Sequence, residues 1–263
     1  MSMSTLRIAL VQVPIQDDDA FGNLERMERA IRTRRGADLF LLPELWTTGY
    51  AHDAWPRSAD EETPEIAEEL ARLSREMNAY IAGSMITRTE RGGLSNRLWL
   101  FSPEGEVAAV YDKGHLFPLM AEDRYLEAGE ERVAAPVRGW NASLSICFDL
   151  RFPEMYRAEA VAGQTLFLVV AEWPAERAET LRILARSRAI ENQAYLALCN
   201  RLGAGADGTE FGGGSTIIAP DGMVILDAED REGVFEAVID ASCVDGVRGG
   251  LPCLRLRREG LDW

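Results

Sequence analysis

Hydrophobic positions recur along the chain with a two-residue period in some segments and a helical period in others, and turn-forming residues punctuate the changes. The pattern predicts a strand over 6–13, then a helix over 23–35 that Asn23 caps and Gly36 ends. Asp38 is followed by the unbroken apolar run Leu39-Phe40-Leu41-Leu42, as expected of a strand covered on both faces. Thr63-Pro64-Glu65 reads as a cap with proline at the first helical position, opening a helix to about residue 78, and 80–88 returns as a strand. Segments 97–102 and 107–111 flank Pro103-Glu104-Gly105 as a hairpin, and 116–133 is loop-like.

Ala142-Ser143-Leu144-Ser145-Ile146 then alternates as a strand that closes on Cys147, with a helix from about Glu154. A second buried strand covers 165–170, a long helix 175–193 and a further strand 195–199. A hairpin of 216–219 and 224–226 turns at Asp221-Gly222, the last strand is 234–239, and the tail from Ala241 has little periodicity. Strands alternating with helices, plus hairpins, predict an α/β fold with mixed rather than purely parallel sheets. The stretch 38–46 is echoed at 165–173: each is an apolar strand, preceded by a helix, that ends in a Glu near a Trp (Glu44 and Trp46, Glu172 and Trp173). That echo suggests two βα-rich halves packed sheet to sheet with helices outside. No low-complexity linker interrupts 1–263, so one domain is expected.

Composition narrows the function classes. A formal net charge of −15 argues against nucleic acid and anionic membrane as partners, because such a surface repels phosphate. No apolar stretch reaches the length of a membrane span and the first residues lack a signal-peptide pattern, so a cytoplasmic protein is expected. The four cysteines, 147, 199, 243 and 253, form no CxxC pair and read as reduced thiols; Cys199 belongs to an apolar run, and Cys243 and Cys253 carry no assigned role. With two histidines and no Cys/His cluster, no metal site is expected. Phe211-Gly212-Gly213-Gly214-Ser215 lacks the lysine of a phosphate-binding loop and reads as a tight turn.

Three residues stand at the exits of apolar strands. Cys147 alone reads as a core thiol, but at a strand-to-helix corner it is also a candidate nucleophile. A thiol with an ordinary pKa near ~8.5 is only about 3% ionised at neutral pH, so a nucleophilic role needs a neighbouring base or cation. His52 and His115 are weak candidates. Glu44 ends a fully apolar strand after Pro43, where a charge is costly unless paired or functional, and Lys113 follows a hairpin strand among aromatic and aliphatic residues. Taken singly, Glu44 reads as a cap or salt bridge and Lys113 as a solvated charge. Together they supply a base, a cation and a nucleophile where strand exits of α/β sheets converge.

Pro43-Glu44, Tyr111-Asp112-Lys113-Gly114-His115-Leu116-Phe117 and Cys147-Phe148-Asp149-Leu150-Arg151-Phe152-Pro153-Glu154, in that order, resemble the three signature blocks of the nitrilase superfamily of carbon–nitrogen hydrolases. Supporting blocks are 186–193, 199–203, Gly214-Ser215 and Pro220-Asp221-Gly222. The resemblance implies a four-layer αββα sandwich and a Glu44–Lys113–Cys147 triad. It also implies a positioning role for Glu122 and an oxyanion site made by Lys113 and the backbone N–H of Phe148. It further implies no cofactor, and a homodimer or larger homo-oligomer to which the 241–263 tail contributes. The expected reaction is hydrolysis of a small aliphatic amide through a thioester, since Cys147-Phe148-Asp149 departs from the Cys-Trp-Glu block of true nitrilases. Bacterial ω-amidases, which act on dicarboxylate monoamides, are the most similar branch; nitrile or N-carbamoyl hydrolysis on the same triad is the alternative. A non-catalytic scaffold or thiol redox sensor has no need of all three residues. Candidate substrate contacts are Tyr50, Arg151, Glu172 and Trp173. Arg151 either pairs a substrate carboxylate or forms a structural ion pair with Asp149 or Glu154. Glu172 stands where many relatives carry a small or neutral residue, and in the pocket it would disfavour an anion and favour a neutral or amine-bearing substrate.

Overall fold

The computed structural model describes residues 5–258. In chain order the first half runs β1 (Thr5–Gln12), α1 (Ala20–Arg32), β2 (Leu39–Leu41), a short α2 (Trp55–Arg57), α3 (Thr63–Met77), β3 (Tyr80–Arg88), β4 (Leu94–Phe101), β5 (Val107–Asp112) and a one-turn α4 (Glu122–Tyr125). The second half runs β6 (Ala134–Val137), β7 (Trp140–Ile146), α5 (Pro153–Val161), β8 (Leu166–Ala171), α6 (Ala178–Asn192), β9 (Tyr195–Asn200), β10 (Leu202–Ala204), β11 (Glu210–Gly212), β12 (Thr216–Ile218), β13 (Val224–Asp227), β14 (Gly233–Asp240) and α7 (Ala241–Gly250).

Two six-stranded sheets form the centre, ordered β14-β1-β2-β3-β4-β5 and β13-β12-β9-β8-β7-β6. In each, three parallel strands sit between antiparallel wings: β1, β2 and β3 in the first, and β7, β8 and β9 in the second. The period-two pattern assigns the faces. Leu6, Ile8, Leu10, Leu39 and Leu41 turn inward to a core shared with the second sheet. Ala9, Val11, Phe40 and Leu42 turn outward, under Leu24, Met27 and Ile31 of α1 and Ile66, Leu70 and Leu73 of α3. Helices α5 and α6 cover the other outer face, completing an αββα sandwich as expected. The sequence echo has a structural meaning: β2 and β8 are the middle strands of the two parallel trios, so Glu44 and Glu172 follow equivalent strands.

Several boundaries differ from the sequence expectation. Asp19, not Asn23, caps α1 by accepting from Gly22 N, and the helix stops at Arg32. Asn23 is instead buried, donating through Nδ2 to Gln16 O and Thr47 O. Thr63 is no cap, because a wide turn over Ser58–Glu62 leads into α3; its hydroxyl donates to Ile86 O. The loop expected over 116–133 holds α4, and β6, β10 and β11 are additional short strands. The tail read as aperiodic begins with α7, capped by Asp240. Its three glycines weaken the helical signal, and Arg248 holds it by donating to Gln193 O and Gln164 O.

Candidate functional site

Glu44, Lys113 and Cys147 come from three different strand exits, after β2, β5 and β7, and meet between the two sheets. All three are buried. Lys113 Nζ donates to Glu44 Oε1 at 2.7 Å and to Glu122 Oε1 at 2.7 Å. Asn96 of β4 donates to the same Glu44 oxygen at 2.8 Å, and Glu172 N donates to Glu44 Oε2 at 2.8 Å. The Glu44 carboxylate is thus fully satisfied, which is what a charge in the interior requires.

Cys147 has φ +45°, a conformation unfavourable for a residue with a side chain. Asp149 holds that corner. Its Oδ2 accepts from Ile146 N at 2.9 Å and Tyr111 OH at 2.8 Å, while Oδ1 accepts from His115 N at 3.0 Å and faces His115 Nδ1 at 2.8 Å. One buried carboxylate therefore ties the Cys147 turn to the segment that carries Lys113. Gly129 tightens the same segment by donating to Lys113 O at 2.9 Å. A Cβ there would lie 2.2 Å from Asp112 O, so only glycine fits.

Glu122 is fully buried at the start of α4. Besides Lys113 it accepts from Tyr50 OH at 2.9 Å and from Phe117 N at 2.7 Å. Tyr50, expected as a substrate contact, spends its hydroxyl on Glu122, although the residue also lines a broad cavity. His52 has no part in the cysteine environment; it stacks on Tyr125 at 4.5 Å and bonds Met120 O, steadying the α4 segment.

The electrostatics follow from burial. Burial pushes the Cys147 thiol well above its ordinary value; the Glu44 charge adds to that and Lys113 opposes it. The resting thiol therefore keeps its proton. Burial alone would lower the Lys113 ammonium, but Glu122 and Glu44 outweigh it and raise it, so the cation is permanent. Burial raises Glu122 as well, with Lys113 opposing. A protonated thiol beside a carboxylate and a fixed cation can transfer its proton as the sulfur attacks.

A narrow cleft opens on Cys147, lined among others by Phe117, Phe148, Arg151, Glu172 and Trp173. The Arg151 guanidinium lies 5.0 Å from the Trp173 ring centre and 6.0 Å from that of Phe148. Among the described residues neither Asp149 nor Glu154 forms an ion pair with it, since Asp149 is engaged elsewhere. Arg177, to which the sequence assigned no role, also lines the cleft and lies 5.8 Å from the Phe117 ring centre. Asn96 and Asp149 were missed too. The available signal was a polar residue inside an apolar strand for Asn96 and the interior of a signature block for Asp149. Glu172 is buried, with Oε1 paired to Arg201 Nη1.

Residues 7–248 match the family model described as carbon-nitrogen hydrolase. The omega-amidase YafV of Escherichia coli (strain K12) is 38% identical over 230 residues, 88% of each chain. The 2-oxoglutaramate amidase of Bacillus subtilis (strain 168) is 34% identical over 243 residues, covering 90% of this chain and 93% of the relative. Among solved structures, a CN-hydrolase superfamily protein from Xanthomonas campestris with an arsenic adduct in its active site superposes with a TM-score of 0.92 at 32% identity, over 99% of this chain and 100% of that one.

Proposed function

Because the chain belongs to the carbon–nitrogen hydrolase family, we propose that it hydrolyses a small aliphatic amide on Cys147, with the ω-monoamide of a dicarboxylic acid as the leading substrate class. The observation that carries this reading is that Cys147 lines a cleft beside the buried Glu44–Lys113 pair, whose carboxylate accepts from Lys113 and Asn96. Glu44 takes the Cys147 proton as the sulfur attacks the amide carbon. The oxyanion forms between Lys113 Nζ and the N–H of Phe148, where one such donor contributes about 3 kcal/mol. Glu44 returns the proton to nitrogen, the C–N bond breaks and ammonia leaves. A water that Glu44 deprotonates then attacks the thioester, and the acid leaves as Cys147 regains its proton. Glu122, fixed by Tyr50 and Phe117 N, keeps Lys113 aimed at the site.

Arg151 and Arg177 at the cleft support a carboxylate at the far end of the substrate, as do the names of the omega-amidase and 2-oxoglutaramate amidase relatives. We further propose a cytoplasmic homodimer. Pairing is supported by the exposed Ile183 and Ile190 on α6 beside Met223 and Val224, an apolar patch at the outer layer. Among the described residues no helix is long and apolar enough to cross a membrane.

Ammonia release from a panel of ω-monoamides, simple amides, carbamoyl compounds and nitriles tests the reading. Turnover is expected for amides, highest for ω-monoamides; turnover of nitriles or carbamoyl compounds alone, or of nothing, would overturn it.

A further inference from the structure

A glutamate carboxylate turns easily about its last bond, so its partners must set which oxygen faces the reacting atoms. Around Glu44 the donors come from three different segments. Lys113 Nζ, after β5, and Asn96 Nδ2, on β4, both donate to Oε1, at 2.7 Å and 2.8 Å. Glu172 N, after β8, donates to Oε2 at 2.8 Å. An ionised carboxylate has about four acceptor sites, shared equally between its oxygens. Among the described residues Oε1 is therefore filled, and Oε2 keeps one site free. The Cys147 thiol lies on the Oε2 side, because it has both the Glu44 carboxylate and the Glu172 N–H as hydrogen-bonding neighbours.

Asn96 is fully buried inside β4, opposite Ile86 of β3, on the strand face that continues with the core residues Leu98 and Leu100. Its main chain also holds the lysine, since Lys113 N donates to Asn96 O at 3.0 Å. One residue thus sets the Glu44 carboxylate with its side chain and the Lys113 segment with its backbone. The amide has only one way to face Glu44, because turning it over would set oxygen against oxygen. That orientation leaves Oδ1 buried with no hydrogen-bond partner among the described residues. An unpaired buried acceptor destabilises the fold. Packing therefore gives no reason for an asparagine at this strand position, and the donor aimed at Glu44 does.

We infer that Asn96 is a positioning residue for proton transfer: by filling the second site of Oε1 it leaves Oε2 as the oxygen through which Glu44 exchanges protons. Oε2 takes the Cys147 proton as the sulfur bonds to the carbonyl carbon, and releases it to nitrogen as the C–N bond breaks. Without Asn96, Oε1 regains an open site and the carboxylate gains a second orientation. Lys113 alone does not prevent this, because its ammonium is shared with Glu122. The inference rests on the amidase reading and adds which oxygen carries the proton and what aims it.

A double-substitution cycle with Glu44 separates this role from a merely structural one. Asn96→Ala removes the donor. Asn96→Val removes it too, while filling the space with a residue that suits a strand, and it carries the same test if the first variant does not fold. Steady-state ammonia release from a five-carbon ω-monoamide is measured on the full-length protein, with thermal transitions as the check on folding. Loss of aim should lower kcat about 30- to 100-fold and change KM by less than ~3-fold. On the Glu44→Gln background, where no carboxylate is left to aim, the same substitution should cost less than ~3-fold in kcat. An equal loss on both backgrounds overturns the inference, as does a loss confined to KM or an unchanged kcat. A native protein that releases no ammonia from any amide of the panel overturns the amidase reading itself.

Discussion

At the residue scale, one ammonium serves two carboxylates: Lys113 contacts Glu44 and Glu122 at the same distance, and Asn96, Tyr50 and the backbone N–H groups of Glu172 and Phe117 share the remaining load. Removing the proton acceptor should therefore cost more than removing a supporting hydroxyl. Glu44→Gln is expected to lower kcat at least ~1000-fold in steady-state ammonia release, since it removes every proton transfer that Glu44 performs. Tyr50→Phe deletes one hydrogen bond to Glu122 and should lower kcat by about 3- to 10-fold with KM nearly constant. A large KM effect instead would restore Tyr50 to substrate contact. The raised Cys147 thiol has its own signature. Its reaction with methyl methanethiosulfonate, a small neutral reagent, should climb through pH 9 without a plateau near neutrality; a plateau near pH 7 would mean a preformed thiolate.

At the scale of elements, the middle strands of the parallel trios were legible because nothing but apolar residues fits a strand covered on both faces. The Glu that follows each of them was legible for the complementary reason: a charge at the end of such a run needs a purpose. What the pattern hid were contacts between distant segments. Asp149 lies two residues from Cys147 in sequence, yet its partners come from the other sheet's edge, Tyr111 on β5 and His115 in the loop just after it. Asn23 looked like a cap because its spacing allowed it, while tertiary bonds to Gln16 and Thr47 set its actual place. The helix α7 was obscured by Gly246, Gly249 and Gly250, whose low propensity is offset by the Arg248 anchor. The Asp149 clamp makes a structural prediction. Asp149→Ala leaves the Ile146 N–H without this acceptor and should lower stability by about 3 kcal/mol in a denaturant titration, with activity lost as well.

At the scale of the whole molecule, two similar halves face each other across a shared core, and the site lies where their central strands end. Glu44 N reaches Ala171 O at 3.3 Å and Glu172 N reaches back to the Glu44 carboxylate, so the seam between the halves is also the reacting centre. Burying Glu172 there has a pH signature. Its carboxyl is raised from 4.5 to about 8, so between those values the folded chain holds a proton that the unfolded chain has released. Stability should fall as pH rises through that window, by at most ~1.4 kcal/mol per unit, and Glu172→Gln should remove the fall. Denaturant midpoints of both proteins at pH 5 and pH 8 measure it; parallel behaviour would contradict the raised carboxyl. The central claim, that Cys147 carries the acyl group, is tested most directly by mass spectrometry of protein acid-quenched during turnover of an ω-monoamide. The account predicts a population heavier by the acyl group, mapped to the peptide bearing Cys147, with adduct and ammonia both absent in Cys147→Ala. Ammonia release that persists in Cys147→Ala, or an acyl group on another residue, would contradict it.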